Sequence, residues 1–281
     1  MVSKTRKLKK PSKGSKGSKG SNDWVIAIPS YKRTEILKEK TLSVLKHYGI
    51  EPRRIYIFVA DESEEEAYKS ALDPDSYNKI IVAEKGLHNA RNVINQYFPI
   101  GKRIVSADDD IRGFIEFSET AKRKEVPLKS LKGLIERGFK EADAAGARLW
   151  GVYPSANGFF MKNTVTTDLR LIVGSFWGQR NPGKEVTLDF SEKEDYLRTL
   201  LFYSKDKKVV RLNFVSPQTA YYKTPGGMQL NRTKENQEKA VKELIKRYPD
   251  YVAVNPHRKS GFMEIRLRDK TRAKTKTTEH T

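Results

Sequence analysis

The sequence predicts an α/β fold in which a mostly parallel central sheet is flanked by helices. Four short apolar runs, at residues 24–29, 54–60, 79–83 and 104–107, alternate with helical patterns, as in parallel sheets with right-handed crossovers. Each run also ends in polar or acidic residues, and a parallel sheet brings such ends to one edge. We therefore expect a ligand site along that edge.

The helices between these strands are predicted from apolar spacing and from residues that begin or end helices. Residues 34–48 carry apolar side chains at helical spacing, with Thr34 as the expected cap and Gly49 as the expected terminator. Further helices are expected at residues 64–72 and 86–97, each leading into the next strand.

The second half of the chain shows a less regular order of elements. Helices are expected within 127–145, 191–203 and 233–248, and strands at 149–153, 169–176, 209–214 and 262–267. No linker composition separates the two halves, which predicts one compact domain over residues 23–267.

The charge distribution favours a polyanionic partner. The chain has 281 residues, of which 55 are basic and 35 acidic, for a formal net charge of +20. Residues 1–22 hold eight basic residues and no acid, and residues 258–281 hold eight basic residues and three acids. Such flanks are typical of nucleic-acid-binding proteins, although basic tails can also serve solubility alone. The composition predicts disordered tails at 1–22 and 268–281.

Composition also excludes several classes of protein. Cysteine is absent, which rules out disulfides and thiolate catalysis and fits a reducing, intracellular setting. No apolar run is long enough to span a bilayer, and the lysine-rich start lacks a secretory signal, so no membrane partner is expected. No Gly-x-Gly-x-x-Gly follows the first strand and no P-loop motif occurs, which disfavours phosphate binding by glycine-rich loops.

Three consecutive carboxylates, Asp108, Asp109 and Asp110, follow the fourth strand. Alternation along an extended chain places Asp108 and Asp110 on one side and Asp109 on the other. Carboxylates this close repel one another, and Mg²⁺ or Mn²⁺ relieves that repulsion while binding substrate phosphates. The alternative is an acidic turn or helix cap, where Asp is common.

The order of these strand-end motifs resembles that of the GT-A glycosyltransferases, whose fold is Rossmann-like. The motifs are IPSYKR after the first strand, ADE after the second, GLHNARN at a helix start and ADDD after the fourth. Three later segments, LWGVYPSANGFF, KEDYLRTL and TPGGMQLNR, are similar to the TET-associated glycosyltransferases of phages. The resemblance covers residues 24–267 and implies a nucleotide-binding half followed by an acceptor-binding half.

The resemblance also implies roles for individual residues of a donor site. Asp108 and Asp110 match the DxD motif that binds Mn²⁺ or Mg²⁺, with His257 as a further implied ligand. The other implied donor-binding residues are Pro29, Ser30, Tyr31, Arg33, Asp61, Arg91 and Asp109. Asp61 would meet the base, and the two arginines would meet the diphosphate. A helical arginine is alternatively a solvated surface residue, and a loop histidine often has no ligand.

Sugar transfer with inversion requires a base, and the resemblance points to Glu194 and Asp195. Ser191 and Glu194 match a capping box, S-x-x-E, which predicts a structural role for Glu194 and leaves Asp195 as the base. The alternative role for Asp195 is a favourable interaction with the helix dipole.

The acceptor surface is expected to include Trp177, Gly226, Gly227 and Arg232, with aromatic rings stacking on an extruded base. Alternatively, the aromatic residues belong to the core. The resemblance implies transfer of glucose from UDP-glucose to a hydroxymethylated pyrimidine in DNA, in the cytoplasm of a phage-infected bacterium. The alternatives are transfer to a glycan or protein, a nucleotidyltransferase of the same fold, and a non-catalytic nucleic-acid-binding protein.

Overall fold

The computed structural model describes residues 23–219, 233–255 and 263–271, and both halves of the chain contribute strands to its central sheet. In chain order the strands are β1 (Trp24–Pro29), β2 (Ile55–Val59), β3 (Lys79–Val82), β4 (Arg103–Ala107), β5 (Gly113–Phe117), β6 (Glu125–Pro127), β7 (Leu149–Val152), β8 (Val165–Thr166), β9 (Phe176–Arg180), β10 (Val210–Leu212), β11 (Val215–Gln218), β12 (Val252–Val254) and β13 (Ile265–Leu267). The helices are α1 (Thr34–Leu37), α2 (Ser43–His47), α3 (Glu62–Ala71), α4 (Leu87–Tyr97), α5 (Leu131–Ala145), α6 (Glu194–Asp206) and α7 (Lys234–Arg247).

Within the described ranges the central sheet has eight strands, in the order β3-β2-β1-β4-β9-β7-β10-β8. Strands β1 to β4 pair in parallel, β9 is antiparallel to both β4 and β7, and β10 is parallel to β7. Because most strands run in one direction, the predicted mostly parallel α/β fold is confirmed. The carboxyl ends of β1, β2, β3, β4 and β7 consequently share one edge of the sheet.

Helices cover both faces of this sheet because the side chains of its central strand alternate between two hydrophobic clusters. Ile26 of β1 packs in a cluster with Tyr68 of α3, whereas its neighbour Val25 packs in a cluster with Val93 of α4. All six residues of β1 are buried, as expected for a central parallel strand. Two smaller antiparallel sheets, β11-β5-β6 and β12-β13, lie beside the central one.

The first predicted helix contains a wide turn that is hydrogen-bonded to the acidic loop, residues 108–111. The segment Lys38–Leu42 between α1 and α2 is π-helical, and Thr34 is the first helical residue after the N-cap Arg33, so the predicted cap at Thr34 is wrong. Thr41 in the wide turn donates a hydrogen bond to the carbonyl of Asp108 (2.7 Å) and accepts one from the Ile111 amide (3.0 Å). Such turns are frequent at functional sites.

The strand predicted at residues 169–176 is wrong, because β9 begins only at Phe176. The Ile172 amide donates to the Thr199 hydroxyl (3.1 Å), and its carbonyl accepts from the Arg198 guanidinium (2.8 Å). These bonds to α6 replace strand pairing. Burial of Ile172 explains the apolar pattern that had predicted a strand.

The folded region extends past the predicted boundary at residue 267. The Arg268 amide donates to the Tyr251 carbonyl (2.8 Å), and the Tyr203 hydroxyl donates to the Asp269 carboxylate (2.5 Å). Residues 1–22 and 272–281, which include most of the two predicted tails, lie outside the described residues. Of the helices that the structure describes, none is long and apolar enough to cross a membrane.

Candidate active site

A cavity of about 390 Å³ lies at the carboxyl edge of the sheet, between the ends of β1, β2 and β4 and the starts of α4 and α6. It is lined by nine of the residues predicted for donor binding, metal binding or catalysis: Pro29, Ser30, Tyr31, Arg33, Asp108, Asp109, Asp110, Glu194 and Asp195. The polar residues at the carboxyl ends of these strands meet here because the strands are parallel and share this edge.

Asp109 is the innermost of the three consecutive carboxylates, with 5% of its surface exposed. Its carboxylate accepts hydrogen bonds from the Ser30 hydroxyl (2.7 Å) and from the Arg33 guanidinium (3.0 Å). Burial raises the pKa of Asp109, and the charge of Arg33 opposes that rise. Asp109 therefore joins the end of β1 to the start of α1, a structural role in addition to its place in the cavity wall.

Asp108 and Asp110 are more accessible, with 37% and 14% of their side chains exposed. Arg91 lies 3.5 Å from the Asp108 carboxylate, and Arg33 lies 3.9 Å from that of Asp110. Partial enclosure raises the pKa of Asp108 to about 7, and the negative charges of Asp110 and Asp109 add to the rise while Arg91 opposes it. Burial also raises the pKa of Asp110. Further positive charge at this position would stabilise both carboxylates.

The residues at this position fit a divalent cation. Carboxylates outnumber bases in the cavity wall, with Glu84, Asp108, Asp109, Asp110, Glu192, Glu194 and Asp195 against Arg33, Lys85 and Lys193. Among the residues that the structure describes, no three histidine or acidic side chains meet closely enough to bind a metal alone. Mg²⁺ and Mn²⁺ commonly take one or two carboxylates and complete their coordination with substrate phosphates. Asp108 and Asp110 suit that arrangement.

Two buried arginines form ion pairs with carboxylates of the cavity from the interior of the protein. Arg91, which is 3% exposed, pairs with Asp108, and Arg198, which is 2% exposed, pairs with Glu194 at 2.7 Å. Their guanidinium carbons lie 5.3 and 3.9 Å from the ring centre of Trp177. Arg91 is therefore not the solvated surface residue of the alternative interpretation. It is also absent from the cavity wall, so it contacts Asp108 from inside the protein.

Trp177 does not belong to an acceptor surface. It lies on β9, between β4 and β7, and its side chain packs in a hydrophobic cluster with Leu197 of α6. Only 3% of its surface is exposed. A ring enclosed in this way cannot stack on a base, so the prediction for Trp177 is wrong.

Asp195 faces the cavity from the first turn of α6. One of its carboxylate oxygens accepts a hydrogen bond from the Tyr196 amide (3.0 Å). Burial raises the pKa of Asp195 to about 6, the charge of Glu194 adds to the rise, and Arg198 opposes it. A carboxylate with a pKa near neutrality can accept a proton efficiently at physiological pH.

The capping box predicted for Ser191 and Glu194 is wrong. Helix α6 follows Lys193, whose φ of +59° places it in the left-handed region, and no side chain caps the helix. The Ser191 hydroxyl bonds instead to Nδ1 of His88 (2.5 Å). Glu194, only 4% exposed, is committed to Arg198. Its structural role is thus a buried ion pair.

The remaining predicted residues lie away from the cavity or outside the described ranges. Asp61 caps α3 by accepting a hydrogen bond from the Glu64 amide (3.0 Å), and its neighbour Ala60, rather than Asp61, lines the cavity. Four further predictions fall outside the described residues: His257, Gly226, Gly227 and Arg232.

Several residues of the site were not predicted from the sequence. Lys85 and Lys193 bring positive charge to the cavity wall, and burial lowers the pKa of His88, which bonds to Ser191. The Lys193 ammonium lies 3.0 Å from Glu264, a residue 71 positions away that directly precedes β13, which ties this strand to the cavity. No local pattern signals a contact across that separation.

No protein-family model and no curated protein matches this chain. Among solved structures it is similar to S. aureus TarS 1–349 in complex with UDP, at 15% identity and a TM-score of 0.48, over 79% of this chain and 65% of that one. It is also similar to glucosyl-3-phosphoglycerate synthase from Mycobacterium tuberculosis in complex with Mn²⁺, UDP-glucose and phosphoglyceric acid, at 8% identity and a TM-score of 0.48, over 88% and 86% of the two chains.

A third similar structure is the mannosyltransferase PcManGT from Pyrobaculum calidifontis in complex with GDP-Man and Mn²⁺, at 13% identity and a TM-score of 0.42, over 63% of this chain and 50% of that one. The chain thus spans less than two thirds of the TarS and PcManGT chains. With identities and TM-scores this low, the similarities do not assign an activity.

Proposed function

We propose that this protein is a metal-dependent glycosyltransferase that moves a sugar from a nucleotide-sugar, UDP-glucose in our hypothesis, to a hydroxymethylated pyrimidine in DNA. One observation carries the proposal. Asp108 and Asp110, which suit a divalent cation, line the same cavity as Asp195, whose raised pKa of about 6 suits a base. Metal-assisted transfer from a nucleotide-sugar to a hydroxyl acceptor uses both kinds of group in one place.

The donor would occupy the carboxyl edge of the sheet. Asp108 and Asp110 would hold Mn²⁺ or Mg²⁺, whose charge would neutralise a diphosphate leaving group. Pro29, Ser30 and Tyr31 provide the wall beside the nucleotide. Arg33 already pairs with Asp109, so its role is to stabilise the acidic loop more than to bind phosphate.

The acceptor hydroxyl would approach from the side of Asp195. Its proton passes to the Asp195 carboxylate while its oxygen forms a bond to the anomeric carbon. The bond between that carbon and the phosphate oxygen breaks on the opposite face, and the nucleoside diphosphate leaves. Displacement in one step inverts the configuration of the sugar.

DNA as the acceptor is supported by the net charge of +20 and by the motifs that resemble the TET-associated glycosyltransferases. Incubation with UDP-glucose, Mn²⁺ and duplex DNA containing 5-hydroxymethylcytosine should yield a glucosylated nucleoside, detected by mass spectrometry after digestion. Unmodified DNA of the same sequence is the matched control.

The released nucleotide separates the alternative functions. If UDP is released while the DNA stays unmodified, and a glycan or protein receives the sugar instead, the DNA acceptor is contradicted but the transferase activity is kept. With UTP in place of UDP-glucose, release of inorganic diphosphate would indicate a nucleotidyltransferase. No turnover with either donor would indicate a binding protein.

Deleting residues 1–21 is expected to flatten the salt dependence of DNA binding. The segment carries eight basic residues and no acid, and each phosphate neutralised contributes about 0.9 to the slope of log affinity against log salt. Fluorescence anisotropy over a salt series measures the slope, with UDP-glucose hydrolysis as the unchanged control. An identical slope after truncation would show that the tail does not contact DNA.

A further inference from the structure

The loop between β7 and β8 displays two adjacent phenylalanines to solvent. Phe159 is 68% exposed and Phe160 is 62% exposed. By contrast, the tryptophans Trp24, Trp150 and Trp177 are 1%, 0% and 3% exposed. Isolated exposed apolar residues are common on protein surfaces, whereas a contiguous pair of large rings favours an interaction site.

The loop is fastened on both sides of this pair. The Gly158 amide donates to the Glu125 carboxylate (2.8 Å), and a Cβ atom at Gly158 would lie 2.5 Å from the carbonyl oxygen of Arg123. That close approach requires glycine. On the other side, Met161 is 2% exposed and anchors the loop in the protein. The fold therefore fixes the two rings in an outward position.

The surface around the rings is basic. Lys122, Arg123 and Lys162 are exposed, and 80% of the Arg123 side chain is accessible. Glu119 is the exposed acid of the adjacent β5–β6 turn. The Glu125 carboxylate is 16% exposed, accepts from the Gly158 amide and lies 3.6 Å from the Arg123 guanidinium, which still reaches solvent. Aromatic rings flanked by cations match nucleic acid, which offers bases and phosphates side by side.

The pair lies beyond the same edge of the sheet as the cavity. Strands β4 and β7 are both antiparallel to β9, which lies between them, so their carboxyl ends share an edge. Two strand spacings of about 4.8 Å separate these ends, and the seven residues from Tyr153 to Phe159 span at most roughly 25 Å. At 3.4 Å per step along a strand, one duplex of about ten base pairs reaches both places.

We propose that Phe159 and Phe160 form a wedge that inserts into the base stack of duplex DNA, while Lys122, Arg123 and Lys162 contact the flanking phosphates. This inference rests on the proposed DNA acceptor. A pyrimidine must leave the stack before its hydroxymethyl group can enter the cavity. An apolar side chain inserted between base steps unstacks them and lowers the cost of extrusion.

The test compares the double variant Phe159→Ala/Phe160→Ala with the wild type on a duplex that carries 2-aminopurine beside 5-hydroxymethylcytosine. Wild type should raise the 2-aminopurine fluorescence on binding, because unstacking relieves quenching. The double variant should lose that rise and bind roughly 5- to 150-fold more weakly, the usual effect of removing one aromatic stacking partner. Hydrolysis of UDP-glucose and the melting temperature should be unchanged, since both rings are exposed.

Ile100→Ala is the matched control. Ile100 is 81% exposed but precedes β4, at the opposite edge of the sheet, and its variant should behave as wild type in every measurement. Arg123→Gln/Lys162→Gln should reduce the salt slope of binding by about 1.8, for two phosphates, and keep the fluorescence rise of the bound complex.

The outcomes separate the wedge from the proposed function. Equal unstacking and equal glucosylation by wild type and the Phe159→Ala/Phe160→Ala variant overturn the wedge alone. UDP-glucose hydrolysis by a wild type that binds no DNA overturns the DNA acceptor and the wedge together. A changed oligomeric state in light scattering, with DNA binding intact, overturns the wedge and assigns the rings to self-association.

Discussion

Asp110→Asn is expected to lower metal-dependent sugar transfer by roughly 10³-fold or more, because a bound cation stabilises a developing diphosphate by several kcal/mol. Asn keeps the volume of the side chain and removes its charge. Mn²⁺ binding measured by electron paramagnetic resonance in the presence of UDP should weaken in parallel, and the melting temperature should stay close to that of wild type.

Asp109→Asn is the matched control for this variant, because the same substitution is made one residue away. Asp109 is bound to Ser30 and Arg33, so its loss should lower the free energy of unfolding by about 3–5 kcal/mol, the usual cost of breaking a buried ion pair. Mn²⁺ binding by the folded fraction should persist. If Asp109→Asn loses Mn²⁺ and Asp110→Asn retains it, the metal ligands are assigned to the wrong members of the acidic loop.

Asp195→Asn is expected to lower the transfer rate by roughly 10²–10⁴-fold, the usual contribution of a positioned base. Affinity for UDP-glucose should change little, because the substitution acts on the acceptor proton. Donor affinity by calorimetry and transfer rate by nucleoside mass spectrometry are to be measured on the same preparation.

The pH dependence supplies a second readout for Asp195. The base is active as a carboxylate, and burial raises its pKa to about 6, so kcat/KM should rise with pH through about 6 and level off above it. That ascending limb should be absent from the residual activity of Asp195→Asn. The profile is measured at saturating Mn²⁺, which keeps Asp108 ionised, so a limb retained in the variant would assign the titration, and the base, to another group.

Glu194→Gln is the control beside Asp195, and the structure changes its expected phenotype. A capping box would tolerate Gln, but Glu194 neutralises Arg198, which is 2% exposed. The variant should therefore lose about 3–5 kcal/mol of unfolding free energy. Glu194→Gln/Arg198→Met removes both charges and should recover much of that loss. Folded Glu194→Gln should still transfer sugar, and a folded but inactive variant would exchange the roles of the two carboxylates.

Local sequence patterns were sufficient for the α/β class and for the edge that contains the site. Parallel strands such as β1 are buried on both faces and read as continuous apolar runs, and their polar ends mark where the sheet meets solvent. The same patterns selected Asp108 and Asp110, whereas Asp195 came from the resemblance to the GT-A glycosyltransferases, and all three line the cavity. These signals are local because each depends on a few consecutive residues.

Two errors at the candidate site occurred where a side chain has its partner far away in the chain. Ser191 fits a capping box by spacing, but it bonds to His88, which is 103 residues distant. Trp177 is aromatic and was therefore expected to stack on a base in an acceptor surface. Instead, β9 places it between two strands, with the guanidinium groups of Arg91 and Arg198 over its ring. Spacing alone cannot distinguish such alternatives.

The division between the two levels has a physical basis. Periodicity, charge and strand-end polarity follow from neighbouring residues, and they led to the fold class and to the three consecutive carboxylates after the fourth strand. Which carboxylate is buried depends on contacts such as that between Ser30 and Asp109, 79 residues apart. A carboxylate enclosed by such contacts takes a partner and a structural role, whereas one left more exposed keeps its charge available for a ligand. Burial is a property of the packed chain, and only the tertiary structure assigns it.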